Sequence, residues 1–483
     1  MKKGLLFTIT TMLLLGGCQS KDSSPLSLST EISSEISSET SSSLIVSSST
    51  DKDYKEDIIV DVDPIVNEEL RGCFDFFYDT AVTTPYSPAY GLIPDNYNTI
   101  TNKKSAFASI ASVGFGLATL PIGVENGWIT PEEGYDRAYK TIYNMLNLER
   151  IHGFYYHFLK MNNGERYSKS IEVSIIDTAI LICGALTAGK YFGGDVEELA
   201  NSMYAGVEWN WYYNKNTYQF YMGYSPETGF SGAWDHCAEQ LMIYVLAAGA
   251  PNKDFRVNSD AYRVMLSKTK KSSSTDKYDG FYMSWHGSIF TYQFSHAFID
   301  FRNIVDYTGI NWYENSINAS KAAIEYADSK KGLYKTYSRD SWGFTACNGP
   351  NGYSGEYGFA PNAYGKVARL DGTVPPCGAI GSIPFVPEDA IRAMKHYKTY
   401  DKLWSKFGFV DAYNLGTTDS HTDSSIDGKV GEDGWFDSNV IGIDKGVSAL
   451  MIENYLSNTI WNIFMDIEYI QEGLKELDFT EVK

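Results

Sequence analysis

The chain has 483 residues, 43% of them hydrophobic and 15% aromatic, enough for one large domain or two to three ordinary ones. Its formal net charge of −20 would repel a phosphate backbone, which argues against nucleic acid as a partner. A neutral ligand with flat faces and hydroxyl groups, such as a sugar, suits the 36 Tyr and 10 Trp better, although core packing accounts for most of these aromatic residues.

Residues 1–18 are typical of a signal peptide. The stretch "MKKGLLFTITTMLLLGGC" combines two lysines, an apolar run too short to span a bilayer, and small residues before Cys18. Its ending "LGGC" resembles a lipobox, the signal after which bacterial lipoproteins are cleaved and acylated on cysteine. We therefore expect a membrane-anchored lipoprotein that faces outside the cytoplasm. An ordinary secretory signal with a chance cysteine is the alternative.

Composition separates residues 19–58 from residues 59–483. The first segment is dominated by Ser, Thr and Glu and is predicted to be a disordered tether that holds the rest away from the membrane. The second segment shows no further linker and is predicted to be one domain. Its five widely spaced cysteines are expected to be mostly small buried hydrophobic residues, and a pairing of Cys347 with Cys377 stays open.

Helix signals recur along this domain and predict an all-α fold. Thr130 and Glu133 have the spacing of a capping box, and Asp195 and Glu198 repeat it. Between the helices lie long loops rich in glycine and aromatic residues, such as 339–365, and loops of this length are usually functional. Paired helices with long loops suit a closed double ring whose loops build one rim. Further helices are predicted for "SIIDTAILICGALTAGKYFGG", "VPEDAIRAMKHYKTY" and "VSALMIENYLSNTIWNIFMD".

Glu239, in "GAWDHCAEQLMIYVLAAG", is a carboxylate among apolar residues. With Asp235 as the N-cap, a helix would begin at His236 and place Glu239 in or near its first turn, where a negative charge is favoured. That structural role is one interpretation. Because burial of an unpaired carboxylate costs several kcal/mol and raises its pKa, the other interpretation is a catalytic proton donor.

A second acidic pair lies in "SIEVSIIDTAIL". Glu172 precedes the predicted helix and Asp177 falls in its first turn. Ser174 and Asp177 also have the spacing of a capping box, so a purely structural role for Asp177 is an equal alternative.

A third candidate stretch is "SWHGSIFTYQFSHAFIDFRN". If a helix begins near residue 289, then Gln293, His296 and Asp300 share one face, and Tyr292 is four residues from His296. Such a polar stripe is either a buried hydrogen-bond network or a wall that faces a ligand. Trp285 and His286 come from the loop before it.

The chain contains no HExxH, GxSxG, Walker or GxGxxG pattern, and the aspartate spacing in "DSHTDSSIDG" is wrong for an EF-hand loop. We therefore expect neither a metal ion nor an organic cofactor. The expected partners are a saccharide and, through Cys18, a membrane.

Seven segments resemble those of a known family: "SIASVGFGLATLPIGVENGWIT", "HGFYYHFL", "EVSIIDTAILICGALTAGKYFGG", "YSPETGFSGAWDHCAEQLMIYVLAAGAP", "GSIFTYQFSHAFIDFRN", "CGAIGSIPFVPEDAI" and "IGIDKGVSALMIENYLSNTIWNIFM". The family is the bacterial glucoamylase-like family, some of whose members form glycoside hydrolase family 144, the β-1,2-glucanases. The resemblance runs from about residue 70 to about residue 475. It implies an (α/α)6 toroid that frames a sugar-binding cleft, and hydrolysis of β-linked glucans with inversion at the anomeric carbon.

The same resemblance assigns expected roles to individual residues. Glu239 matches the family's glutamate in the equivalent apolar helix and is the leading candidate for the acid. Asp177, in "IDTAIL", stands where the glucanases have Glu, and Ser174 stands where they have Asp. This departure leaves Asp177 and Glu172 as candidates for the second carboxylate, and leaves linkage and endo or exo action open. Asp444, in "IGIDKG", is expected to line the same pocket.

The resulting hypothesis is a surface-anchored glycoside hydrolase that acts on β-glucan, with β-1,2-glucan or its oligosaccharides as the first choice. Glu239 would be the acid, and Asp177 or Glu172 the base or water-orienting group. A polysaccharide lyase on a similar toroid and a non-catalytic glycan-binding lipoprotein are the alternatives. The expected sugar-binding residues are Trp234, Asp235, Trp285, His286, Tyr292, Gln293, His296, Trp342 and Asp444.

Overall fold

The structure is a computed structural model that describes residues 54–55, 59, 61–365 and 368–482. Cys18 and the rest of the predicted signal peptide lie outside these residues, as does most of the predicted tether. The five cysteines of the described part are all buried and unpaired, so Cys347 and Cys377 form no disulfide.

Helices form most of the regular structure in these ranges, and the prediction of a predominantly helical fold is confirmed. The α-helices of the described ranges are α1 (Pro64–Thr80), α2 (Ile110–Glu125), α3 (Pro131–Asn147), α4 (Ile175–Phe192), α5 (Gly194–Ala205), α6 (Leu241–Gly249), α7 (Asp260–Lys268), α8 (Trp312–Lys330), α9 (Pro376–Ile380), α10 (Pro387–Tyr397), α11 (Gly442–Ser457), α12 (Thr459–Met465) and α13 (Glu468–Glu476).

The strands are two or three residues long and pair antiparallel. In chain order they are β1 (Asn96–Asn98), β2 (Lys103–Lys104), β3 (Phe107–Ser109), β4 (Phe158–Lys160), β5 (Val173–Ser174), β6 (Tyr213–Asn214), β7 (Gln219–Phe220), β8 (Gly223–Ser225), β9 (Gly229–Ser231), β10 (Ile304–Val305), β11 (Cys347–Gly349), β12 (Gly352–Ser354), β13 (Thr373–Val374), β14 (Trp404–Ser405), β15 (Gly408–Phe409), β16 (Tyr413–Asn414), β17 (Trp435–Phe436), β18 (Asn439–Ile441) and β19 (Thr480–Glu481). The sheets are β18-β1-β2, β5-β8-β9, β13-β16-β17, β3-β4, β6-β7, β10-β19, β11-β12 and β14-β15.

Helices α2, α4, α6 and α11 are buried along almost their whole lengths. Because most side chains of α2, α4 and α6 are apolar on every face, these three helices can pack against protein on all sides, whereas α11 also buries Asp444, Lys445 and Glu453. Helix α4 is long and apolar enough to cross a membrane, but 78% of it is buried inside this fold, which makes it a core helix. The amphipathic helices α3, α10 and α13 bury one face and leave the other in water.

The helix ends follow local sequence rules in part. Thr130 and Glu133 form the predicted capping box of α3, and α4 ends at Gly193, whose φ of 66° suits glycine. The predicted capping box of Asp195 and Glu198 is wrong, because α5 already begins at Gly194 and has no side-chain cap. Asn458, at a φ of 56°, divides the predicted last apolar helix into α11 and α12.

Three buried helices begin directly after a strand: β3 leads into α2, β5 into α4 and β18 into α11. Each of these strands pairs with a strand from a distant part of the chain, namely β4, β8 and β1. Because each strand continues directly into a helix, this pairing fixes the first turn of that helix to the distant segment with which the strand pairs. Side chains on those first turns are therefore held by both a helix and a sheet.

Glycines set the closest helix contact. An added Cβ at Gly184 of α4 would lie 1.8 Å from the carbonyl oxygen of Gly114 in α2, so neither backbone has room for a side chain. We expect Gly184→Ala to lower the free energy of unfolding by about 1–3 kcal/mol, the usual cost of overpacking. Urea denaturation measures this change. Gly332→Ala, where the added Cβ meets nothing within 4 Å, is the control, and equal stability of both variants would contradict the prediction.

Candidate active site

An open cleft of about 360 Å³ lies next to the start of α6. Glu239 lines it, together with the predicted sugar-binding residues Trp234, Trp285 and His286. Gly355, from the long loop 339–365 that was expected to be functional, also lines it. The remaining lining residues are Met222, Ala233, Ala238, Ser284, Ser288, Phe290 and Thr291.

Glu239 lies in the turn immediately before α6, so the predicted helix start at His236 is wrong. The side chain of Gln240 explains the difference, because its Nε2 donates a hydrogen bond to the carbonyl oxygen of His236 (2.5 Å). The hydroxyl of Ser295 donates to the carbonyl oxygen of Glu239 (2.6 Å). These two bonds hold the backbone in a tight turn and so fix the position from which the Glu239 side chain extends.

The carboxyl group of Glu239 is poised to carry a proton near neutral pH. Burial raises its pKa to about 7, and the negative charge of nearby Asp177 adds to the rise. Within the described residues, no lysine, arginine or histidine forms an ion pair with Glu239. An acid without a nearby cation keeps its proton more easily, which is the requirement for a proton donor.

His157 joins the two other predicted carboxylates. Its Nδ1 lies 2.9 Å from Oε1 of Glu172, and its Nε2 lies 3.5 Å from Oδ1 of Asp177. The ring also stacks on Phe158, with the ring centroids 3.8 Å apart. Asp177 additionally accepts a hydrogen bond from the hydroxyl of Ser174 (2.5 Å), so the predicted cap and the predicted site coincide.

The charges of this group depend on one another. Burial disfavours the charged form of His157, but Asp177 and Glu172 outweigh it and raise the His157 pKa to about 9. Burial likewise disfavours the charged form of Glu172, but the hydrogen bond and positive charge of His157 hold its pKa below the ordinary value. Sequence reasoning missed His157, although it lies in the segment "HGFYYHFL" that carries the family resemblance.

Carboxyl groups continue from Asp177 towards α11. Burial raises the pKa of Asp95, which is close enough to Asp177 and His157 to sense their charges. Burial also raises the pKa of Asp444, to about 6, and that of Asp411, and these two carboxyl groups share a hydrogen bond. We call Glu239, Asp177, Asp95, Asp444 and Asp411 the acidic floor; Glu239 lines the cleft, whereas Asp411 and Asp444, the latter expected in the same pocket, line a separate small cavity. Asp95 and Asp411 were not predicted from the sequence.

Aromatic side chains form the rim above Glu239. Trp285 packs on Tyr364, with ring centroids 4.0 Å apart, and on His236, 4.8 Å away. Asp235 pairs with Nδ1 of His236 (3.0 Å) and so supports the rim rather than capping a helix. Tyr364 is 42% exposed at the end of the long loop and was not predicted as a site residue.

Four predicted sugar-binding residues are core residues instead. The stretch from residue 289 forms two short 3₁₀ turns and not one helix, so the predicted polar stripe does not exist. Tyr292 accepts a hydrogen bond from the backbone N–H of Ser284, and Gln293 donates to the hydroxyl of Ser382.

His296 is buried among aromatic rings and lies 2.9 Å from the hydroxyl of Ser316, and burial lowers its pKa to about 3. Trp342 is 0% exposed. Asp300, the last member of the predicted stripe, pairs with Arg302 at 2.7 Å. None of these side chains lines the cleft. The prediction of a ligand-facing wall is therefore wrong for Tyr292, Gln293 and His296, which lie in the interior, although Phe290 and Thr291 of the same stretch line the cleft.

The pairing of His157 predicts a pH-dependent stability. Its pKa is about 9 in the folded protein against 6.5 for an unpaired histidine. The stabilisation is therefore complete below about pH 6.5 and is lost as the pH rises through about 9. We expect the wild type to lose about 2–3 kcal/mol over this range relative to His157→Gln. Urea denaturation at several pH values measures both proteins, and parallel curves would contradict the prediction.

The chain is similar to several known proteins. Residues 231–468 match the family model Glycoamylase, described as "Putative glucoamylase". The chain is 25% identical over 457 residues to an exo β-1,2-glucooligosaccharide sophorohydrolase (non-reducing end) of Parabacteroides distasonis, covering 86% of this chain. The chain spans only 58% of the length of that relative.

Two solved structures have a similar fold. An endo-β-1,2-glucanase from Chitinophaga pinensis, in complex with sophorotriose and glucose, matches with a TM-score of 0.73 and 25% identity, covering 88% of this chain and 99% of its own. An endo-β-1,2-glucanase from Talaromyces funiculosus with β-1,2-glucan has a TM-score of 0.59 at 10% identity, covering 85% and 90%. The second match concerns the fold alone. The chain thus has a match to the glucoamylase-like family over residues 231–468, and its homologues are named as β-1,2-glucanase and sophorohydrolase.

Proposed function

We propose that this protein is a glycoside hydrolase that cleaves β-1,2-glucan or its oligosaccharides. The observation that carries the proposal is Glu239, which among the described residues is a buried acid without a cation that lines the cleft, near enough to Asp177 to sense its charge, while Asp177 lies beside His157. Hydrolysis with inversion needs one protonated and one ionised carboxyl group. The named activities of the relatives supply the linkage.

Unpartnered polar atoms in the cleft support a saccharide as the ligand. Among the described residues, no hydrogen-bond partner reaches the buried Nε1 of Trp234, Oγ of Ser284 or Nδ1 of His286, and all three residues line the cleft. Buried polar atoms normally have a partner, because an unmet one costs about 1–3 kcal/mol. Sugar hydroxyls both donate and accept hydrogen bonds and would satisfy all three.

In the proposed reaction, Glu239 gives its proton to the glycosidic oxygen as the bond to the anomeric carbon breaks. Asp177 takes a proton from the water that attacks the opposite face of that carbon, so the product has inverted configuration. His157 keeps a positive charge next to Asp177. Glu172 acts through His157, since its carboxylate is bound to the other ring nitrogen.

We also propose that the helices form the (α/α)6 toroid. The buried elements α2, α4, α6, the segment 289–297, α9 and α11 would form the inner ring. Packing of α2 on α4, α4 on α6, α9 on α11, and α11 back on α2 supports this arrangement. From the sequence, we also propose that lipid attached to Cys18 holds the enzyme on the outer face of a membrane. Cys18 lies outside the described residues.

Replacing the proposed acid tests the mechanism directly. We expect Glu239→Gln to lower kcat on β-1,2-glucan at least ~100-fold with little change in binding, because it removes the proton donor and keeps the shape. Wild-type kcat should fall as the pH rises above about 7, where Glu239 loses its proton. Reducing-end assays measure turnover. Glu132→Gln, an exposed glutamate of α3, is the matched control, and near-normal turnover by Glu239→Gln would remove it from the mechanism.

The proposed base is tested by comparing three variants. We expect Asp177→Asn to lower kcat at least ~100-fold, and Glu172→Gln to lower it less, because Glu172 acts only through His157. NMR of fresh products from the wild type should show the α-anomer first. A large loss in Asp444→Asn with normal turnover in Asp177→Asn would move the base to Asp444. A product that absorbs in the ultraviolet would indicate a lyase.

A further inference from the structure

A second groove, of about 630 Å³, lies between the segment after α1 and the outer face of α3. It shares no residue with the cleft that contains Glu239. Three tyrosines from two parts of the chain line it, Tyr86, Tyr90 and Tyr143. We call it the tyrosine groove. Its volume is within the range of roughly 300–1,000 Å³ that is usual for small-molecule sites.

The tyrosine groove exposes flat aromatic surface to water. Tyr86 is fully exposed and Tyr143 is 54% exposed. The ring of Tyr143 lies parallel to that of Tyr139, with centroids 6.2 Å apart, and Tyr139 lies parallel to Tyr135 at 6.5 Å. Parallel rings along one helix face form a ridge with its last ring open to the groove. Exposed aromatic faces of this kind are where the apolar faces of sugar rings stack.

The two walls of the groove are fixed to each other. The side-chain amide of Asn144 in α3 donates hydrogen bonds to the carbonyl oxygens of Pro88 (3.0 Å) and Tyr90 (2.8 Å). The segment with Tyr86 and Tyr90 is therefore tied to the helix that carries Tyr143. A preformed site of this kind loses little conformational entropy when a ligand binds.

Charge selects the class of ligand. The two charged groups that line the groove, Asp136 and Lys140, pair with each other at 2.7 Å and leave no net charge there. The whole chain carries −20, which disfavours an anionic ligand such as a phosphate or an acidic peptide. A neutral polymer with apolar faces and hydroxyl groups is complementary to this surface.

We propose that the tyrosine groove is a second glucan-binding site, where Tyr86 and Tyr143 stack on the sugar rings of a chain whose other part reaches the catalytic cleft or another enzyme molecule. The inference rests on the proposed function for the identity of the glucan. Attachment at a second point raises the effective concentration of a long chain, whereas an oligosaccharide of two or three units fills only one site. The groove would therefore affect polymer and leave short substrates unaffected.

The experiment uses the double variant Tyr86→Ala/Tyr143→Ala. In gels that contain soluble β-1,2-glucan, and on a Glu239→Gln background that prevents hydrolysis, we expect the double variant to bind about tenfold more weakly than its parent. On the active background, KM for polymer should rise about threefold to tenfold, with kcat and the KM for sophorotriose unchanged.

Tyr218→Ala is the matched control. Tyr218 is also an exposed tyrosine in the left-handed backbone region, with a φ of 57° against 60° for Tyr86, and it lies outside the groove. This control should keep the parent's affinity. Thermal unfolding of each variant verifies that the fold is intact.

The outcomes separate the two proposals. Unchanged gel binding and an unchanged KM for polymer in the double variant would overturn the groove proposal and leave the hydrolase proposal standing. If the wild type binds β-1,2-glucan without hydrolysing it, and the double variant loses this binding, the hydrolase proposal is refuted and the groove proposal is supported. If the wild type neither binds nor hydrolyses β-1,2-glucan, both proposals are overturned. An equal loss in Tyr218→Ala would also overturn the groove proposal.

Discussion

The unequal placement of positive charge around the acidic floor is the constraint on which the site depends. His157 lies between Glu172 and Asp177, while Glu239 has no ion pair among the described residues. Burial alone would push every one of these carboxyl groups towards its neutral form. The imidazolium of His157 lies beside Glu172 and Asp177, whereas Glu239, whose pKa burial raises to about 7, has no such partner in the described part of the chain. A carboxyl group beside a cation and a carboxyl group without one are thus close enough to sense each other's charge.

This electrostatic arrangement requires rigid support, which the helix starts provide. Asp177 belongs to the first turn of α4, Asp444 to that of α11, and Glu239 precedes α6. Short strands before α4 and α11 pair with distant segments and hold those turns in place. The close contact of Gly114 with Gly184 brings α2 and α4 together behind them. The positions of the site carboxyl groups therefore depend on how the buried helices pack.

Aromatic rings line both the cleft and the tyrosine groove. Of the acidic floor, Glu239 lines the cleft, and Trp285, which packs on Tyr364, lines it as well. In the tyrosine groove, Asp136 and Lys140 cancel each other beside exposed rings. A neutral sugar chain can contact such rings without the loss of hydration that a charged surface would impose. The proposed hydrolysis depends on the carboxyl groups, whereas the proposed binding of sugar depends mainly on the aromatic side chains.

By itself, the sequence determined the helical class, some helix ends such as the capping box of α3, and Glu239, Asp177 and Glu172 as candidate carboxyl groups, because capping, apolar periodicity and the cost of a buried charge are local properties. It did not determine which polar residues face the cleft. Gln293 and His296 lie in the core because their stretch forms 3₁₀ turns, whereas His157 becomes the central cation. The tertiary structure decided this, since the backbone N–H of His157 donates to the carbonyl oxygen of Glu172 (2.9 Å) and a bridge joins Tyr156 to Val173, which places His157 at the start of α4.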